Sequence, residues 1–104
     1  MKSQSKYARI LNAASELARE EGLPALTRDR VAERADVAPS LMYHYFDGMD
    51  GLKDTVMAMA IDMQDVELVS RGLAIQYRAA MKAPPELRRK AVRRLTAEIM
   101  GEQG

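Results

Sequence analysis

The chain has 104 residues, 47% apolar and 30% charged, and 16 basic against 15 acidic side chains leave a net charge of +1. That length suits one small domain, and the balance of apolar and charged residues excludes a disordered chain. Without cysteine, disulfides and thiolate metal sites are excluded and a reducing compartment, the cytoplasm, is expected. No apolar run approaches the ~18 residues of a membrane span, and the N-terminus lacks the apolar core of a secretory signal.

In chain order, Tyr7, Ile10, Leu11, Ala14, Leu17 and Ala18 recur at three- and four-residue spacing, which predicts an amphipathic helix over residues 6 to 21 with Ser5 as its cap. Gly22 can take the left-handed conformation that closes a helix, Leu23 can fold back on the helix end, and Pro24 is expected to keep the linker non-helical. Lys2, Lys6 and Arg9 lie at the start of this helix, where the plain reading is that they are solvated.

Next, Thr27 can cap a short helix over about residues 28 to 35, in which Val31, Ala32 and Ala35 share a face. Asp36 stands where the chain must turn sharply, and Asp tolerates a left-handed backbone there. Val37 anchors the turn. Pro39 suits the first position of a second helix, residues 39 to 46, because its φ is already helical and its absent N–H would have lacked a partner. On that helix Met42 and Phe46 share an inner face, while Ser40, His44 and the edge residue Tyr43 point the other way. A serine hydroxyl and an imidazole can bond base edges or phosphates, and a tyrosine hydroxyl can reach a phosphate. Two short helices around a tight turn, with such an outer face, read as a device for double-stranded DNA.

Asp47-Gly48 signals a turn, and Asp50 can cap the helix that begins near Gly51. Leu52, Val56, Met59, Ala60 and Met63 follow at helical spacing, and Met57 and Ile61 widen the stripe enough for contact on two sides. A helical pattern resumes from Val66 to Met81 with a mild break at Gly72, so one helix or two fit between residues 51 and 82. Ala83-Pro84-Pro85 ends that pattern, and a last helix starts at about Pro85 with Leu87, Ala91, Leu95 and Ile99 four apart. Around it cluster Arg88, Arg89, Lys90, Arg93 and Arg94, most simply a solvated face, alternatively a contact for nucleic acid or an acidic partner. The seven methionines after Met1 suit core or interface filling.

His44 is the only histidine, so a histidine pair for metal is impossible, and no Ser/His/Asp or Cys/His arrangement can be read. Asp62 and Asp65 are near neighbours, but paired helical carboxylates are usually solvated. No catalytic residue, metal site or cofactor is expected.

The motifs Leu26-Thr27, Val31-Ala32, Ala35-x-Val37 and Met42-Tyr43-His44-Tyr45-Phe46 resemble the DNA-binding domain of the tetracycline-repressor (TetR) family. The resemblance runs over roughly residues 5 to 65, from the helix ending in Glu21-Gly22 to the helix opened by Met49-Asp50-Gly51-Leu52. It implies an all-α fold with a homeodomain-like helix-turn-helix domain in residues 1–51 and a helical dimerisation region in residues 52–104. That region is too short for the family's full ligand-binding domain, so no small-molecule inducer is expected. The implied function is a cytoplasmic transcriptional regulator, a repressor that binds a palindromic operator as a homodimer. Ala38, Pro39, Ser40, Tyr43 and His44 are the candidates for the groove, and Thr27, Arg28 and Lys53 for phosphates; by the same resemblance Lys2, Lys6 and Arg9, at the start of the first helix, could touch the DNA backbone. Against the family pattern, Asp36 stands for a turn glycine, Ala38 for a capping serine, Asp29 for an arginine and Met49 for a lysine; Arg28 and Arg30, flanking Asp29, are candidates to supply the charge instead. The alternative function is a small helical interaction module, an anti-repressor or partner-binding subunit, without specific DNA binding.

Overall fold

Seven α-helices and one 3-10 turn make up the regular structure of the described residues, 4–101 of a computed structural model, and no strand occurs among them. They are α1 (Lys6–Glu21), the 3-10 turn (Leu23–Ala25), α2 (Arg28–Ala35), α3 (Leu41–Phe46), α4 (Met49–Asp62), α5 (Val66–Ala74), α6 (Arg78–Met81) and α7 (Pro85–Gly101). The fold class is all-α, as expected. Its contacts divide the chain into two units, one up to Val56 and one from Met57, with the division inside α4.

In the first unit the helix starts follow local chemistry. The Ser5 hydroxyl accepts the Ala8 N–H at 3.1 Å and the Thr27 hydroxyl accepts the Arg30 N–H at 3.3 Å, each relieving one orphan donor of a first turn. Gly22 has φ 93° but ψ 164°, so it closes α1 with a positive φ and then leaves in an extended direction rather than the expected left-handed helical one. Only glycine adopts that pairing freely. Pro24 was expected to hold the linker non-helical; it sits instead inside the 3-10 turn, at a position where a missing N–H leaves no bond unmade. Leu23 and Leu26 beside it are buried, and with Ile10, Leu17, Val31, Met42, Leu52 and Val56 they form the apolar interior of this unit. Burial of such side chains is the main favourable term in its folding.

Three boundaries differ from the sequence reading. Residues 39 and 40 form a turn before α3 rather than its first residues, with Leu41 N–H bonded to Ala38 C=O and Met42 N–H to Pro39 C=O, both at 3.1 Å. These i→i−3 bonds are the tighter geometry that helix ends commonly take. Helix α4 starts at Met49, because the Gly48 carbonyl accepts the Leu52 N–H at 3.1 Å; Asp50 therefore lies in the first turn, where its charge meets the positive helix end, and does not cap. Between residues 51 and 82 there are three helices, not one or two. The chain breaks at Gln64 (φ 54°) and Gln76 (φ 56°), both left-handed. After the first break, Asp65 caps α5 by accepting the Leu68 N–H at 3.1 Å.

In the second unit α5 packs on α7 and on α6. Leu68 and Val69 are fully buried, and Leu87 and Ala91 are 5% and 0% exposed. Gly72, the expected break, lies within α5; a Cβ there would come within 2.6 Å of the Ala80 Cβ and 2.7 Å of the Met57 Cε. The missing side chain is what lets these helices approach.

Candidate nucleic-acid interface

The segment from α2 to α3 has two faces. Val31, Ala32, Ala35, Met42 and Phe46 are all at most 5% exposed and form its underside. Asp36 makes the turn between the helices in the left-handed region, φ 60° and ψ 53°, and its N–H and that of Val37 return to the Glu33 and Ala32 carbonyls at 3.2 and 3.1 Å. An aspartate does here what glycine usually does at a helix end. Beyond it Ala38, Pro39, Ser40, Tyr43 and His44 are all exposed, Tyr43 at 67%, while Leu41 between them is half-buried and Met42 buried. Thr27 and Arg28, also exposed, stand at the start of α2, and half-buried Lys53 lies in the second turn of α4. The Thr27 hydroxyl is engaged as a cap and Arg28 faces the Asp29 carboxylate at 3.5 Å.

Aromatic contacts fix the pose of α3. The Tyr7 ring of α1 stacks on Phe46 at 4.7 Å and meets Tyr45 edge-on at 5.9 Å, and His44 meets Tyr45 edge-on at 4.7 Å. Such pairs add ~1 kcal/mol each beyond the area they bury. Tyr43 lies over Gly48, where a Cβ would stand 3.2 Å from the ring and where φ is 96°, so α3 also requires the glycine that follows it.

The sequence profile described as bacterial regulatory proteins, tetR family, matches residues 10–55, from the middle of α1 into α4. Residues 10–55 are a TetR-family DNA-binding domain. Its general role is DNA-binding transcription regulation, in a family of regulators rather than enzymes. Comparison with curated proteins and with solved structures returned no match. Among the described residues, no helix is long and apolar enough to cross a membrane, and no three His, Cys, Asp or Glu side chains gather as a metal site would require.

The charges around the TetR domain are largely committed to each other. Arg30, a candidate for the DNA backbone, holds Glu21 with two bonds of 2.9 and 2.8 Å, and Arg34 holds Glu20 with two of 3.0 and 2.9 Å. Both pairs tie α2 to α1. Arg30 is thus held by a full carboxylate, whereas Arg28 makes, among the described residues, only the single 3.5 Å contact to Asp29. Arg9, also a candidate for phosphate, is turned inward: its Nε donates to the Ala35 carbonyl at 3.1 Å, and its Nη2 to the Ala35 and Asp36 carbonyls at 2.8 and 2.6 Å. A cation there satisfies the carbonyls at the negative end of α2. Lys6 is exposed, and Lys2 lies outside the described residues. The pattern rules did not reveal the Arg9 latch, because its partners are 26 and 27 residues away; the one local signal is its place beside the fully buried Ile10.

The hydrogen bonds from Arg34 and Arg30 hold the Glu20 and Glu21 carboxyls below the ordinary glutamate value. A depressed folded pKa adds stability that is present above the unfolded pKa and lost as the pH falls through the folded one. The α1–α2 clamp is therefore expected to be intact at neutral pH and to weaken in acid. A carboxyl-carbon NMR titration should give Glu20 and Glu21 midpoints below that of an unpaired glutamate, moving up toward it when salt screens the pairs; midpoints at the unpaired value in low salt would contradict the clamp.

Proposed function

We propose that this chain is a cytoplasmic transcriptional repressor that reads a palindromic operator in double-stranded DNA as a homodimer, with residues 1–51 as the reading domain and residues 52–104 as the dimerisation region. The observation that carries the reading is the outward run from Ala38 to His44 above the buried Met42 and Phe46, on a TetR-family domain. In this reading α3 enters the major groove, where Ser40 and His44 meet base edges, Ala38 and Pro39 approach apolar base surface, and Tyr43 reaches a phosphate. Thr27, Arg28 and Lys53 hold the backbone on either side. Support for a dimer comes from α7, whose Ile99 and Met100 remain 74% and 61% exposed, and from the small core that each unit can build alone.

Two substitutions separate base reading from backbone contact. His44→Ala is expected to weaken binding to the operator by about 1–3 kcal/mol while leaving non-specific binding unchanged; unchanged operator affinity in a folded variant would remove His44 from the groove. Lys53→Ala is expected to weaken binding on every sequence alike and to lower the salt slope by about one, so a loss confined to the operator would count against a phosphate role. The reading itself is tested by footprinting the DNA upstream of the chain's own coding sequence. Protection of two inverted half-sites about 34–36 Å apart, or a multiple of that, is expected of a two-fold dimer; a single unpaired half-site would refute the dimeric arrangement.

A further inference from the structure

The second unit carries a trough that DNA reading does not use. Leu73 of α5, Met81 of α6 and Pro85 and Val92 of α7 line about 550 Å³ together with Arg88, Arg89 and Arg93. We propose that this trough is a docking groove for an amphipathic helix of another protein, one that carries carboxylates beside its apolar stripe. The inference goes beyond DNA reading and stands independently of it.

The shape selects a helix over a small molecule. Ligand pockets bury most of the ligand's surface, whereas Met81 and Val92 are 50% and 52% exposed, leaving an open trough. An open apolar trough is the receptor for a helix laid lengthwise, anchored by side chains at i, i+3 or i+4, and i+7.

The charge selects the flanks of that helix. Helix α7 carries five basic and two acidic residues. One of its arginines, Arg94, is paired, standing 3.7 Å from Glu67 of α5 and 3.7 Å from Glu98 of α7 itself. Among the described residues no ion pair engages Arg88, Arg89 or Arg93, and all three are exposed on the trough. Spread over five residue steps, about 7.5 Å of helix, they match carboxylates about one turn apart on the incoming helix. A second copy seated in the same trough would set these arginines against their own counterparts, which opposes association. A DNA backbone would use the arginines and leave the apolar floor without a partner.

The test uses the full chain and two fluorescent synthetic peptides of about 18 residues, both with leucine at i, i+3, i+4 and i+7, one flanked by glutamates and its twin by lysines. Binding is followed by fluorescence anisotropy. The glutamate peptide is expected to bind at least about tenfold more tightly than its twin. The triple variant Arg88→Glu, Arg89→Glu, Arg93→Glu should reverse that preference, and Val92→Asp should weaken the glutamate peptide about tenfold with helix content unchanged. Reversal of preference is a readout that misfolding cannot produce. Equal affinity for both peptides would overturn the proposal. So would self-association that Val92→Asp abolishes and that excludes the peptide, which would assign the trough to a second copy. A triple variant that loses DNA affinity but still prefers the glutamate peptide would assign the arginines to phosphates and overturn it as well.

Discussion

Gly51→Ala is expected to destabilise the first unit by more than about 3 kcal/mol, beyond the usual cost of overpacking. Gly51 lies in the first turn of α4, and a Cβ built on it would stand 1.6 Å from the carbonyl oxygen of Phe46 and 2.8 Å from its carbonyl carbon. The obstacle is backbone and cannot rotate aside. Phe46 is the last residue of α3 and stacks on Tyr7, so a displacement there moves α3 itself, the helix proposed to read DNA. Helix propensity alone predicts the opposite sign, since alanine is favoured over glycine in a helix by about 1 kcal/mol. Urea unfolding followed by tyrosine fluorescence decides between them, because three of the four tyrosines, Tyr7, Tyr43 and Tyr45, lie in the first unit. A midpoint equal to or above that of the parent chain would show that α3 and α4 do not meet this closely.

Arg9→Met is expected to destabilise the same unit by about 1–2 kcal/mol, below the full worth of hydrogen bonds from a charged donor because the side chain is 34% exposed. Methionine keeps the apolar stem and loses all three bonds to the Ala35 and Asp36 carbonyls. Those carbonyls belong to the turn that sets the angle between α2 and α3, so affinity for the operator should fall further than affinity for random DNA. Asp36→Asn is the control. It removes only the 3.7 Å ion pair to a fully exposed carboxylate, asparagine tolerates the left-handed backbone, and a change under about 0.5 kcal/mol is expected. If Arg9→Met and Asp36→Asn behaved alike, the bonds to backbone carbonyls would not be what holds the turn.

What could be read from the sequence was local. Ser5 and Thr27 cap their helices because a hydroxyl three residues before a free N–H suffices. Asp36 adopts the left-handed turn because its short polar side chain permits it. The alternation of buried Met42 and Phe46 with exposed Tyr43 and His44 follows from 3.6 residues per turn.

What escaped depends on residues far apart or on backbone states with no residue signature. Gln64 and Gln76 break the helical pattern in the left-handed region, yet glutamine is an ordinary helix former and nothing in its type announces a stop. Gly72 looked like the break because glycine usually is; its role is close approach between helices, visible only once Ala80 and Met57 are in place. Pro39 fits a first helical position so well that the tighter turn of residues 38 to 40 could not be foreseen. Arg9 and Arg30 looked free for phosphate, since the Ala35 carbonyl and the Glu21 carboxylate that engage them come near only when α1 and α2 pack.

If Ala38 to His44 read DNA sequence, as proposed, the chain must prefer its operator over other DNA of the same length. The most direct test is the affinity of the purified chain for the DNA upstream of its own coding sequence, titrated across salt and against a scrambled duplex of equal length. Binding at least about 10³-fold tighter on the upstream DNA than on the scrambled duplex is expected at physiological salt, with most of that ratio lost in the double variant Ser40→Ala, His44→Ala. Weak binding, equal on both duplexes and vanishing as salt rises, would contradict the proposal.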